Sequence, residues 1–478
     1  MNMIKRRWGS KGGYREVLVL AFPLIISTGS VSIQHFVDRM FLTWYSAEAI
    51  AAVTPAGMLN FTILSLFIGT AGYVNTFVAQ YHGAGRYGRI GPAIWQGIYV
   101  ALIGGLINLF LILCAEDIFG FVGHEELVKQ YEIRYFQILC LGAFPAIASS
   151  VLSGFFSGRG ETWPIMLVNV LATGVNIFLD YLLIFGKAGF PELGVSGAAI
   201  ATVAAMVFSV CLYFVLVSRQ LYRLRYNTMN GWRLERSLFS RLMRYGLPNG
   251  VQFFLEIAGY TIFILLIGRQ GTYYLAATNI AFNINSLAFM PMIGLGIAIS
   301  ILVGQYLGEN NPAIAERCVY SGFFVMFSYM AIVASLYLFV PNIFLAPFTV
   351  MAKSESFEFI KETTIILLRF VAFYSLFDAL NIAFSYAIKG AGDTRFVMII
   401  IIIDSLVVLV IPSYIALVVF HAHIYVGWAL ASTFIVILGI TFLFRFLGGK
   451  WKSMRVIELI PPSIPTTIPE APAFELEP

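Results

Sequence analysis

Residues 60–83 read NFTILSLFIGTAGYVNTFVAQYHG, and residues 285–308 read NSLAFMPMIGLGIAISILVGQYLG. Laid over one another, 225 positions apart, they match at Asn60 and Asn285, Gly69 and Gly294, Gln80-Tyr81 and Gln305-Tyr306, and Gly83 and Gly308. The same offset carries Pro23 of AFPLIIS onto Pro248 of GLPNGVQ, and Ala51-Ala52 onto Ala276-Ala277, without a gap. Further on, SGRGET (157–162) pairs with KGAGDT (389–394), and GAAIAT (197–202) with GWALAS (427–432). The chain is a duplication, so its fold is one unit built twice.

That unit is too apolar for water. Of the 478 residues, 59% are hydrophobic and 12% charged, against about 25% charged in soluble domains. Apolar segments of spanning length recur at 17–42, 51–80, 91–115, 129–157, 163–186, 194–218, 239–268, 275–306, 316–341, 361–389, 396–420 and 425–447. A chain of this composition needs lipid as its solvent, and in lipid a backbone must satisfy itself as helix or closed barrel. Most of the 30 basic residues fall in every second loop, including Arg86, Arg89 and seven arginines from Arg219 to Arg244, while one opposite loop is acidic (Glu116, Asp117, Glu125, Glu126). This alternation predicts both termini on the cytoplasmic side.

The expectation is an all-α polytopic membrane protein with 12 transmembrane helices in two pseudo-two-fold-related six-helix lobes. Six helices per copy return the chain to its starting side, so both copies share one orientation, and a site between them lies near the midplane. The divisions are a basic cytoplasmic N-terminus (1–15), an N-lobe (16–218), a cytoplasmic linker (219–238), a C-lobe (239–448) and a cytoplasmic, Pro-rich tail (449–478) expected to be disordered. The stretch from Val17 to Trp44 is too long for a leader's apolar region and reads as a retained first helix.

Several classes of chemistry find no support. There is no G-x-x-x-x-G-K-[S/T], H-E-x-x-H or G-x-S-x-G sequence, so an ion gradient is expected to supply energy in place of ATP. Cys114, Cys140, Cys211 and Cys318 are scattered in apolar runs and read as packing residues. The basic residues form no nucleic-acid stripe, and neither an enzyme site nor a cofactor is expected.

Chemistry is expected where polar groups interrupt apolar helices. A charge at the bilayer centre costs about 2.5–3.5 kcal/mol on insertion scales, so Asp38, Asp180, Glu256, Asp378 and Asp404 either mark a pathway or bond a neighbouring helix. Periodicity gathers the polar residues into faces. The fifth helix carries Asn169, Thr173, Asn176 and Asp180; the first carries Ser27, Ser30, Gln34 and Asp38. The seventh carries Gln252, Glu256 and Tyr260, the eighth Asn279, Asn283 and Ser286, the tenth Tyr374, Asp378, Asn381 and Ser385. Such faces are expected to line a cavity, where a carboxylate can take a proton or, with further oxygens, Na⁺. Asp404 has no polar stripe and reads as structural. Pro23 and Pro248 read equally as static kinks or as hinges.

In this order and spacing, FVDRMFL, VAQYHGAGR, SGRGET, NIFLDYLLIFG, GLPNGVQFFLE and KGAGDTR resemble the multidrug and toxic compound extrusion (MATE) family over about residues 15–450. The resemblance implies a monomeric, V-shaped antiporter of the bacterial inner membrane that exports small organic compounds against Na⁺ or H⁺. It implies cation coupling in the N-lobe at Asp38, Asn176 and Asp180, with Thr202 as a further partner. In the C-lobe it implies Glu256, Tyr374 and Asp378, and it makes Pro23 the hinge of the first helix. Asp180 stands where some members carry Asn. A flippase for a lipid or lipid-linked saccharide shares the superfamily, but needs cavity bases, which the acids expected there outnumber.

Overall fold

The computed structural model describes residues 7–122, 124–349 and 356–458. The first six residues and residues 459–478 of the tail lie outside that range; residues 449–458, expected to be disordered, instead form a short 3-10 turn (Lys450–Ser453) and bury Trp451 and Val456. Among the described residues, eleven helices are long and apolar enough to cross a membrane, and a bent pair makes a twelfth. The first half comprises α1 (Tyr14–Tyr45), α2 (Ala47–Gly83), α3 (Tyr87–Gly120), α4 (Glu126–Leu141 with Ala143–Gly158), α5 (Trp163–Phe185) and α6 (Val195–Val217). The second comprises α7 (Arg236–Gly268), α8 (Thr272–Gly308), α9 (Pro312–Phe339), α10 (Phe357–Ala391), α11 (Thr394–Val419) and α12 (Ile424–Leu447).

Local chemistry sets the breaks. Ser46 alone joins α1 to α2, and its hydroxyl caps the new helix by accepting the Ala49 N–H at 3.0 Å. The 44° bend of α4 falls at Gly142, and Pro145 next to it has no N–H to give to the preceding turn. In α11, Pro412 is flanked by π-helical turns over Ser405–Val410 and Ile415–Val419. The wider turns take up the ring and the missing donor without ending the helix.

Three apolar cores define the shape. One joins the halves, setting Val17, Phe77 and Leu152 with Leu302, Ile388 and Phe442. The other two each belong to a single half: Phe41, Phe136 and Ile184 in the first, Ile267, Leu367 and Trp428 in the second. The halves therefore meet at one end and separate towards the other.

The seam at the joined end follows the duplication. Gln80 Nε2 donates to Gly390 O at 3.0 Å, and its repeat mate Gln305 Nε2 donates to Gly158 O at 2.8 Å. Gly83 lies against the Gln305 carbonyl, and Gly308 against that of Gln80. Gly69 faces Gly250, while its mate Gly294 faces Ile25, the residue that the offset carries onto Gly250. A side chain at any of these glycines would hold the two backbones apart.

The lobe-facing sides continue beyond the seam and become exposed. On α8, Met290 O accepts from Thr28 of α1 at 3.4 Å, and the same face continues through Ser286 and Asn283 to Asn279, all exposed. On α7, Gly250 meets α2, Phe253 meets Phe61 edge-on at 5.9 Å, and Tyr260 stands exposed. A chamber thus opens between the halves, away from the basic loops.

Gly250→Ala should lower the thermal midpoint in detergent by an overpacking cost of about 1–3 kcal/mol, because Leu66 and Thr70 occupy the added methyl's space. Gly29→Ala, on the open side of α1 with nothing within 4 Å, should stabilise by up to about 1 kcal/mol. Equal midpoints for the two variants would show that the seam is loose.

Candidate functional site

Inside the first half, α1, α5 and α6 converge on a closed polar cluster. Asp38 is 6% exposed, Thr202 7%, and Asn176 and Asp180 are fully buried. With its amide nitrogen turned to the acids, Asn176 donates to Asp38 Oδ1 at 2.9 Å and to Asp180 Oδ2 at 3.2 Å. Thr202 Oγ1 lies 3.5 Å from the far end of the same amide. Asp38 and Asp180 are within side-chain hydrogen-bonding reach of each other, and buried Tyr135 of α4 stands beside both. The second oxygen of Asp180, Oδ1, is buried without a protein partner.

This arrangement has a definite chemistry. Two carboxylates sharing one amide repel, and burial denies them the water that would screen the repulsion. A proton shared between them removes one charge. A small hard cation does the same, since acid, amide and hydroxyl oxygens are the ligands such an ion takes. Presenting oxygen to a cation requires the Asn176 amide to turn its other end to the acids.

The upper part of the α5 stripe corrects an expectation. Asn169 and Thr173 were expected to line the cavity with Asn176 and Asp180. Asn169 Nδ2 instead donates to Ser27 Oγ at 2.5 Å, and Thr173 Oγ1 to Ser30 O at 3.3 Å. They bond α5 to α1, which satisfies polar groups in a helix contact as well as a cavity would. Gln34, on the same side of α1 as Asp38, is half-buried.

The second half places its acids differently. Glu256 is exposed to the chamber, and Gln252, buried behind it, donates to Glu256 Oε1 at 3.0 Å. Asp378 is 6% exposed and accepts from Asn381 Nδ2 at 3.0 Å. Tyr374, one turn away, is buried, and its hydroxyl accepts from Asn285 Nδ2 at 3.3 Å. Tyr260 packs on Phe282 at 5.0 Å, and Asn283 Nδ2 donates to Asn279 O at 2.8 Å. Glu256 lies within Coulombic reach of both Asp378 and Lys389. Pro23 is buried within an unbroken α1, two residues from the seam contact at Ile25.

Three residues escaped the sequence reading. Lys389 sits inside α10, 9% exposed, its Nζ 4.2 Å from the centre of the Tyr386 ring. It is the last residue of the apolar segment 361–389, and α10 runs two residues beyond it to Ala391. Glu132 of α4 is fully buried and pairs with His124 Nδ1 at 2.8 Å. Asn285, whose Oδ1 is buried without a protein partner, was visible only as the repeat mate of Asn60. Asp404 is buried at the edge of the first π-helical turn, and its Oδ2 has no protein partner.

The MatE family model matches residues 23–182 and 248–415, one block in each copy of the repeat. A Pseudomonas aeruginosa protein described as "Multidrug resistance protein PmpM" is 30% identical over 393 residues, covering 80% of each chain. A Thermotoga maritima protein described as "Probable multidrug resistance protein NorM" is 26% identical over 448 residues, covering 93% of this chain and 94% of its own. A solved multidrug resistance MATE family transporter of the MOP superfamily, in an outward-facing conformation, superposes with a TM-score of 0.80 at 23% identity, covering 95% of this chain and 97% of its own.

Asn176→Ala should cost about 1–3 kcal/mol in thermal unfolding near neutral pH, because both buried acids lose their shared donor. Thr202→Val, which removes only the long 3.5 Å contact, should cost less than about 1 kcal/mol. The reverse ranking would place the bridging role on Thr202.

Proposed function

The chain belongs to the MatE family, and from that premise we propose that it is a secondary antiporter exporting amphipathic, often cationic organic compounds in exchange for Na⁺ or H⁺ by alternating access. The observation that carries this reading is the closed Asp38–Asn176–Asp180 cluster beside a chamber that opens at one end only. A cation bound in the cluster cancels charge inside the first half, where α1 and α5 form the wall. Na⁺ or H⁺ at Glu256 and Asp378 does the same for the second half. Each charge state then favours a different packing of the wall, and cargo and ion exclude one another through that difference.

In this reading both termini are cytoplasmic, the membrane is the bacterial inner membrane, and the working unit is the monomer. The joined end is then the cytoplasmic gate and the chamber faces outward. Pro23 sits beside that gate and lets α1 bend when the charge on Asp38 changes. The exposed rings around the chamber, Tyr260 among them, suit flat organic cations.

Lys389 supports a second reading, a flippase that holds a lipid phosphate. The acid within Coulombic reach of it, Glu256, disfavours an anionic headgroup, so export of cations remains the better account.

The test is efflux of a fluorescent organic cation from proteoliposomes, driven by an imposed Na⁺ gradient in one set and an imposed pH gradient in another. Asp38→Asn and Asp180→Asn should each cut the driven rate at least about tenfold, with Glu256→Gln and Asp378→Asn reducing it also. Undiminished driven efflux in all four variants would reject coupling at these acids. Lipid scrambling without efflux would establish the flippase.

A further inference from the structure

Tyr81 and Tyr306 hold the same place in the two copies of the repeat, and each hydroxyl donates to a glutamate. Tyr306 donates to Glu16 Oε1 at 2.6 Å, and Tyr81 donates to Glu458 Oε2 at 2.7 Å. Glu16 stands at the foot of α1, in the half opposite Tyr306, so that bond crosses the seam. Its other oxygen accepts the Gly12 N–H at 2.6 Å. The repeat offset carries Glu16 onto Arg241, a donor that cannot accept from Tyr81. Arg241 pairs with Glu458 instead. The carboxylate missing from the second copy is thus supplied by the segment that follows α12.

That segment is held along its length. Trp451 is buried, its ring stacked on Phe446 at 4.9 Å, and its Nε1 donates to Phe446 O at 2.9 Å. Lys452 pairs with Glu316 of α9 at 2.8 Å. The Val456 N–H donates to Gln80 Oε1 at 2.8 Å, and its side chain covers Gly392. Arg86 then takes Glu458 twice, through the carbonyl at 2.8 Å and through Oε1 at 2.5 Å, with Arg89 Nε 3.5 Å from Oε1. Gln80, Tyr81, Arg86 and Arg89 belong to the first half. Arg241, Glu316, Gly392 and Phe446 belong to the second. One short segment therefore spans both halves where they meet.

We propose that residues 450–458 form a cytoplasmic strap that holds the two halves together in the outward-facing state, with Glu458 as its latch, and that opening towards the cytoplasm requires its release. Gln80 makes the coupling tight: its nitrogen bonds Gly390 across the seam while its oxygen holds the strap. Burial pushes the Glu458 carboxyl up, but a backbone hydrogen bond, the Tyr81 hydroxyl and the Arg241 guanidinium outweigh it and hold it at about 2. A carboxyl held that low stays anionic throughout the physiological range, and its contribution is lost only as pH falls towards that value. The strap is thus a charge latch and no proton sensor. A competing cytoplasmic anion can release it, since three guanidiniums surround one carboxylate that is a third exposed.

The inference rests on the alternating-access reading, and one experiment separates the two. Nitroxide labels at Gly88→Cys and Ala313→Cys, repeat-equivalent positions on the cytoplasmic face, report the gate distance in the full chain with its native cysteines replaced. The parent should show a short distance and, under some ion or cargo condition, a long one. Glu458→Gln should raise the long-to-short ratio by about fivefold. Arg241→Glu, which puts a carboxylate where Glu16 already serves the other copy, should restore the short distance in the Glu458→Gln background. A parent with both distances and a ratio indifferent to Glu458→Gln would overturn the strap alone. A single parent distance under every condition would overturn alternating access and the strap with it. Monodisperse elution of each variant guards against reading a misfolded chain as an open one.

Discussion

The structure depends on a backbone contact made twice. Two glutamines, one from each copy, reach across to the last-turn carbonyls of the opposite half, at Gly390 and Gly158. Carbonyls at a helix end have no partner in their own helix, and burying them unpaired is costly. Gly83 and Gly308 let the backbones come close enough for the exchange. The largest apolar core grows around this seam, and the wall of the chamber starts where it stops. Because each bond joins backbone to side chain across the halves, water can replace it when they part. Such a contact can part at less cost than a dry apolar one.

The two sets of acids solve different problems. Asp38 and Asp180 are enclosed, and one amide holds both. An enclosed pair senses a single charge strongly, because little solvent dilutes the field. Glu256 looks into the open chamber, with Gln252 behind it and Lys389 within Coulombic reach. A group in contact with the chamber meets whatever enters, including cargo. The repeat thus built two similar halves, and the side chains then enclosed the acids of one and left Glu256 of the other exposed.

Much of this was legible in the sequence, for physical reasons. Lipid forces the backbone into helices, so apolar length and loop charge revealed the twelve spans. The duplication marked Gly69 and Gly294 as repeat mates, but not that each packs against the opposite half. The residues of the Asp38 cluster stood out because polar groups in apolar helices are rare. Periodicity alone could not separate a helix contact from a cavity wall, and Asn169 and Thr173 proved to be the former. Lys389 was hidden at a helix boundary, where sequence reading is least sharp. Glu458 lies outside the repeat, and its only trace was the exchange of Glu16 for Arg241.

The π-helical turns of α11 bear on how this helix tolerates changes of length. Each such turn spends one residue more than an α turn, so the helix stores a surplus on either side of Pro412. Removing one residue from 405–410 would tighten that turn and leave both flanks in register with their neighbours. The same deletion in α5 would swing everything beyond it by roughly 100° about the axis and carry Asp180 off its partners. Indels that ruin one span of this bundle are taken up in another, and the slack lies beside the buried Asp404, whose Oδ2 has no protein partner.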